Sequence, residues 1–234
     1  MAGELNPALI LLETCSVVLD FIFGIVLLWK TIKIGKVALR NYYLCVTGFF
    51  FAHGTFVLTH VIYLFNNIGS LFDFGVLLVL SSLVLLVAGI EFTLFKQSKR
   101  FFTIFGCISI VIIGVDIFTR ISIFGMRLMV LVQYFVNPLL VLFIVLIYLN
   151  AARKARGSTR RNALLVFFAI VMFMIAELAR SQVANQLFPG VDLIGAVLMV
   201  ISIVMLYYGI LHLSVWKRET QPSQPKETRN ISES

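Results

Sequence analysis

Four acidic side chains lie within apolar stretches of this 234-residue chain: Glu13, Asp20, Asp116 and Glu177. A carboxylate at the centre of a lipid-exposed helix costs roughly 2.5–3.5 kcal/mol on insertion scales. Together the four would cost on the order of 10 kcal/mol if they stayed ionised in lipid, which rivals the total stability of a typical domain. We therefore expect all four to face the interior of a helical bundle, where they are paired, protonated or hydrated.

Two histidines repeat the spacing of the first two acids. His53 and His60 lie seven residues apart, as do Glu13 and Asp20. Seven residues are close to two helical turns, so each pair shares one face of its helix and spans roughly 10 Å. If the first two helices pack antiparallel, we predict that Asp20 faces His53 and that Glu13 faces His60. Because histidine changes charge between about pH 5 and 8, such pairs could sense protons.

Later helices add further polar candidates. Glu177 and Arg180 are three residues apart and Asp116 and Arg120 are four apart, so each couple can form an ion pair within its helix. For Asp116 and Arg120, simple neutralisation of charge near a helix end is an equally good interpretation. We expect a cavity in the outer half of the bundle with polar lining residues: Asp20, His53, His60, Gln133, Glu177 and Arg180. The candidate ligand-binding residues are these six together with Glu13 and Asp116.

The rest of the chain has the composition of a membrane protein. Hydrophobic residues make up 60% and charged residues 13%, against about 45–50% and 25% in soluble domains. Seven segments are long enough to cross about 30 Å of hydrocarbon as helices: 8–29, 41–65, 71–95, 101–118, 128–149, 162–187 and 191–216. In the fifth segment Asn137-Pro138 should kink the helix, because proline removes a backbone hydrogen bond. We predict an all-α membrane protein, a seven-transmembrane helical bundle over 1–216, with a disordered tail at 217–234.

The positions of the basic residues predict the orientation. Sixteen of the 19 Lys and Arg residues fall in three loops and the tail that share one side of the bundle. Short loops rich in Lys and Arg stay in the cytoplasm, so we expect the N-terminus outside a cell membrane and the C-terminus inside. This asymmetry accounts for the net charge of +8 with the lipid bilayer as partner and without nucleic acid. The loop from Ala151 to Arg161, with five basic residues, and the tail could dock a cytoplasmic protein.

The sequence lacks the residue patterns that would bind the common membrane-protein cofactors. Covalent retinal needs a lysine in the last helix, and 191–216 contains none. Haem bound by two histidines needs them on facing helices at matching depth, whereas His53 and His60 share one helix. No local motif such as HExxH supports a metal site. We therefore predict no cofactor and no metal.

In topology the chain resembles the seven-transmembrane sensor regions that precede histidine kinase or cyclase domains in prokaryotes. The resemblance consists of the outside N-terminus, the short basic loops and a last helix that ends VMLYYGI at 204–210, before Trp216-Lys217-Arg218. It implies a receptor or sensor that binds a small ligand or senses protons in the outer half of the bundle. The topology is also similar to that of rhodopsins, without the retinal lysine. About eighteen residues follow Trp216, so any signal would pass to a separate partner.

Two other functions remain open. The same carboxylates and histidines could serve a membrane-embedded enzyme or small transporter that exchanges protons or hydrolyses a substrate with metal assistance. Alternatively, the polar residues could only lock helix packing in a structural or assembly subunit. Without a catalytic motif the sequence leans away from an enzyme.

Overall fold

A computed structural model describes residues 6–66, 69–93, 95, 99–123 and 126–212, so the predicted disordered tail at 217–234 lies outside the described residues. The described chain contains seven long helices: α1 (Pro7–Ile32), α2 (Val37–Asn66), α3 (Gly69–Thr93), α4 (Phe101–Thr119), α5 (Leu128–Lys154), α6 (Gly157–Ala179) and α8 (Val191–Leu211). A short helix α7 (Gln182–Leu187) and two short strands, β1 (Ser122–Ile123) and β2 (Met126–Arg127), complete it. All seven long helices are long and apolar enough to cross a membrane. The predicted fold is confirmed, and the chain is a multi-pass membrane protein.

The long helices form a closed ring in which neighbours in sequence are neighbours in space. Each helix from α1 to α6 packs on the next, α6 packs on α8, and α8 returns to α1, while α3 also contacts α5. We call the end of the bundle where α1 begins the amino-terminal face. The opposite end, the basic face, carries exposed cationic side chains: Lys33, Lys36, Arg153, Arg156 and Arg160. That the basic face lies in the cytoplasm stays a prediction.

Side chains close the ends of several helices. Asn6 begins α1 by accepting the N–H of Ala8 at 3.0 Å, and Pro7 occupies the first turn, where no helical N–H is needed. At the basic face, the buried carboxylate of Glu91 on α3 accepts the N–H groups of Phe102 and Thr103 at 3.2 and 2.7 Å. An acid at the N-terminus of a helix satisfies free N–H groups and the helix dipole. Glu91 therefore fixes the start of α4 against the end of α3.

The sixth span is shorter than predicted. The sequence predicts helix as far as residue 187, but α6 ends at Ala179 and α7 begins at Gln182. Ser181 causes the break, because its hydroxyl accepts the N–H of Ala184 at 3.2 Å and so caps a new helix. Arg180 consequently lies at the end of α6. The sequence also missed the hairpin between α4 and α5, in which β1 pairs antiparallel with β2.

The half of the bundle near the basic face contains an apolar core. Its buried side chains include residues of α3, α5 and α8: Leu83, Val84, Leu86, Val87, Leu140, Val141, Phe143, Ile144, Ile203 and Leu206. A polar link crosses this core where the hydroxyls of Tyr42 and Tyr148 lie 2.8 Å apart. The ammonium group of Lys30 donates to the carbonyl of Leu211 at 3.1 Å and so joins α1 to the end of α8. These links hold helices together without opening a polar path.

Candidate functional site

The two predicted histidine–carboxylate pairs are both present between α1 and α2. His53 Nδ1 lies 2.7 Å from Asp20 Oδ2, and His60 Nδ1 lies 2.8 Å from Glu13 Oε2. The helices run antiparallel, so the equal spacing of seven residues puts each histidine opposite its acid. The pairing predicted from spacing is confirmed.

Glu13 belongs to a larger cluster, which we call the acid–base network and which consists of Glu13, His60, Glu177 and Arg180. Arg180 donates to Glu13 Oε1 from Nε at 3.2 Å and from Nη2 at 2.8 Å. Its Nη1 donates to Glu177 Oε1 at 3.1 Å, which confirms the ion pair predicted within this segment. The link between Arg180 and Glu13 was not predicted, because 167 residues separate the two.

Arg180 lies just beyond the last residue of α6, and its guanidinium is almost wholly buried. Burial disfavours the charge, but the adjacent carboxylates of Glu177 and Glu13 outweigh burial and raise the pKa of Arg180 above its usual value. Arg180 therefore remains a fixed cation that joins α1 to the end of α6.

A cavity of about 460 Å³ lies beside this network, between α2, α3, α5 and α6 in the half nearer the amino-terminal face. Its walls are mostly apolar or aromatic: Phe56, Tyr63, Phe72, Val76, Val79, Leu83, Val130, Tyr134, Phe173 and Met174. Five of the lining side chains are amides or can carry charge: His60, Gln133, Asn137, Glu177 and Arg180. The side chains of His60 and Glu177 are each 27% exposed, so both are accessible from this space. A mostly apolar pocket of this size with few polar groups is typical of small-molecule sites.

Of the predicted lining residues, His60, Gln133, Glu177 and Arg180 line the cavity, whereas Asp20 and His53 do not. Both of the latter are completely buried. Aromatic rings separate His53 from the cavity, since its ring centroid lies 5.0 Å from that of Phe173 and 5.9 Å from that of Phe56. The cavity therefore reaches four of the six predicted lining residues and stops short of Asp20 and His53, because large rings fill the space that the helix pattern leaves open.

Asp116 lies outside the cavity, in a second cluster of charges. The expected ion pair with Arg120 is absent, because Arg120 ends α4 in a left-handed conformation and its side chain is exposed. Arg127 takes its place, with Nη2 3.6 Å from Asp116 Oδ2 and Nη1 2.7 Å from Asp73 Oδ1. Asp116 Oδ2 also accepts the N–H of Met129 at 3.2 Å. This cluster fastens α3, α4 and α5 together near the amino-terminal face.

The proline of α5 and the asparagine before it both line the cavity. Pro138 has no N–H, so the carbonyl of Tyr134, four residues earlier, loses its helical donor. Asn137 Oδ1 is buried and has no hydrogen-bond partner among the described residues. A buried polar atom in this state needs a ligand, an ion or water to satisfy it. Spacing placed Asn137 on the face of Gln133, but only the fold shows that both reach the cavity.

Within the described residues, no three His, Cys, Asp or Glu side chains are grouped so that they could hold a metal ion. Comparison with protein-family models, with curated proteins and with solved structures finds no match for this chain.

Proposed function

We propose that this membrane protein is a receptor or sensor that binds a small ligand in the cavity between α2, α3, α5 and α6. The single observation that carries the proposal is the cavity itself, which combines a volume of about 460 Å³ with a mostly apolar wall and a few polar side chains. Polar groups in such a site orient a ligand, while burial of apolar surface supplies most of the affinity. The predicted topology puts this half of the bundle on the outer side of a cell membrane.

The position of the cavity also offers a route for a signal. α5 and α6 both line it, and the short turn at Ala155 and Arg156 joins them at the basic face. A ligand that changes the packing between these helices would shift that turn. Its exposed cations, Arg153, Lys154 and Arg156, form the surface through which we expect a separate cytoplasmic protein to read the shift.

The proposal is tested by filling the cavity. Met174 lines it, whereas the adjacent Ile175 is half exposed on the outside of α6. We expect Met174→Trp to abolish binding of phenylbutanol, a neutral probe with an apolar body, and Ile175→Trp to leave binding unchanged. Binding is measured as the probe-induced rise in the Tm of purified protein in detergent. The matched tryptophans separate occupation of the cavity from partition of the probe into the micelle.

Two results would overturn the proposal. If phenylbutanol raises the Tm of the wild type and of Met174→Trp equally, the probe does not occupy the cavity. If neither phenylbutanol nor the amine and acid of the same carbon skeleton raises the Tm of the wild type above that of Met174→Trp, the cavity is not a ligand site. In both cases the acid–base network would be left with a role in helix packing, which is the structural alternative.

A further inference from the structure

The acid–base network has more negative than positive fixed charge. Glu13 and Glu177 supply two carboxylates, and Arg180 supplies one guanidinium. The network therefore holds one more fixed anion than fixed cation, and only a proton on His60 would balance it. Unbalanced charge is costly at a partly buried site, so a cationic ligand is favoured beside Glu177 when His60 is neutral.

Arg180 already directs three of its five N–H groups to protein carboxylates. Its Nε and Nη2 both donate to Glu13, and its Nη1 donates to Glu177. A carboxylate or phosphate at the guanidinium would compete with Glu13 and Glu177 and would lie next to their negative charges, which is unfavourable in a buried site. The one fixed cation beside the cavity therefore disfavours binding of an acid.

The cavity instead offers hydrogen-bond acceptors. Glu177 Oε1 accepts from Arg180, whereas Glu177 Oε2 has no hydrogen bond to any described residue. On the facing wall, Asn137 Oδ1 is buried without a partner in the described part of the chain, and the Tyr134 carbonyl has lost its helical donor to Pro138. A ligand that satisfies these groups must donate hydrogen bonds.

Aromatic rings surround the same space. Five of the lining side chains carry an aromatic ring: Phe56, Tyr63, Phe72, Tyr134 and Phe173. The face of an aromatic ring attracts cations, most strongly where water is excluded. An apolar wall rich in rings next to a carboxylate is therefore suited to an organic cation.

We infer that the ligand is an amphiphilic amine, in which a primary or secondary ammonium group is attached to an apolar body. The ammonium group donates to Glu177 Oε2 and to the free acceptors of α5, and the apolar body occupies the aromatic part of the cavity. This inference rests on the proposed function and adds the chemical class of the ligand. It also gives Glu177 a specificity role that differs from the structural role of Glu13.

The test compares three probes with the same carbon skeleton: phenylbutylamine, phenylbutanol and phenylbutyrate. Binding is measured as the rise in Tm of the wild type minus the rise in Met174→Trp, which removes the effect of partition into detergent. We expect the amine to bind about tenfold more tightly than the alcohol, because a charge-assisted hydrogen bond is roughly twice as strong as a neutral one. We expect the acid to bind most weakly.

Two variants of one residue identify the carboxylate responsible. Glu177→Gln keeps the shape of the side chain but removes its charge, so the preference for the amine over the alcohol should disappear. Glu177→Asp keeps the charge and should keep the preference. If Glu177→Gln does not fold, the ranking of the probes on the wild type decides the question.

The outcomes separate the inference from the proposed function. The amine class is overturned if the acid raises the Tm as much as the amine or more while the alcohol also binds. It is overturned as well if the preference for the amine survives in Glu177→Gln. Either result leaves the cavity as a ligand site. Failure of all three probes to distinguish the wild type from Met174→Trp overturns the proposed function as well.

Discussion

The two histidine–carboxylate pairs between α1 and α2 have the same chemistry in different surroundings. Asp20 and His53 are both completely buried, and the rings of Phe49, Phe56 and Phe173 enclose the imidazole. His60 keeps 27% of its side chain exposed and contacts the cavity. The first pair is enclosed by the protein, whereas the second has an accessible member.

The pairs also differ in their other partners. Asp20 Oδ1 and His53 Nε2 have no further hydrogen bond within the described residues. Glu13, in contrast, accepts two hydrogen bonds from Arg180 in addition to its contact with His60. The same two residue types therefore form an isolated link in one position and part of a branched network in the other. Only the branched network lies where a ligand can reach it.

The largest effect is expected from loss of one member of the isolated pair. His53→Ala leaves the buried carboxylate of Asp20 without a partner among the described residues. Since an unpaired acid at a helix centre costs roughly 2.5–3.5 kcal/mol, we expect the free energy of unfolding to fall by about 3 kcal/mol. Equilibrium unfolding of the purified protein in mixed micelles measures this loss.

The double variant Asp20→Ala with His53→Ala provides the control. Replacing both members of a buried pair is often much less costly than removing one. We expect the double variant to be more stable than His53→Ala alone. If the double variant is less stable than His53→Ala, the hydrogen-bonded pair stabilises the fold by more than the cost of leaving Asp20 unpaired. The contrast between the two pairs would then weaken.

The sequence predicts both pairs because their geometry is nearly local. A spacing of seven residues fixes the face of each helix, and the high cost of acids in lipid turns those faces inward. The short loop after α1 then makes α1 and α2 antiparallel neighbours, so the depths of Asp20 and His53 must match. For the same reason the seven spans follow directly from the sequence.

The branches of the network do not follow from the sequence, because they depend on where helices end and which helices meet. Arg180 reaches Glu13 because Ser181 ends α6 and α8 closes the ring on α1. Arg127 replaces Arg120 beside Asp116 because the chain turns at a left-handed residue. No local sequence pattern predicts these helix ends or these contacts between distant helices. The rings that separate His53 from the cavity are likewise a property of packing between helices.

A smaller effect is expected at the networked pair. His60→Ala removes one partner of Glu13 but leaves the two hydrogen bonds from Arg180 in place. We expect the free energy of unfolding to fall by about 1 kcal/mol, the usual net contribution of one hydrogen bond. The same unfolding measurement compares this variant with His53→Ala. If the two losses are equal, Arg180 does not support Glu13 as the distances indicate.

The smallest effect on stability is expected at Asn137, where function and stability should separate. Its Oδ1 has no hydrogen bond to lose within the described residues, so Asn137→Ala should change the free energy of unfolding by less than about 0.5 kcal/mol. The same variant should weaken binding of phenylbutylamine several-fold, because it removes an acceptor from the cavity.

Asn162→Ala is the matched control, since Asn162 donates to the carbonyl of His212 and does not line the cavity. It should lose about 1 kcal/mol of stability and bind the amine like the wild type. Equal losses of stability in the two variants would mean that Asn137 is held by the protein, and the cavity would then lack one of the acceptors on which the amine depends.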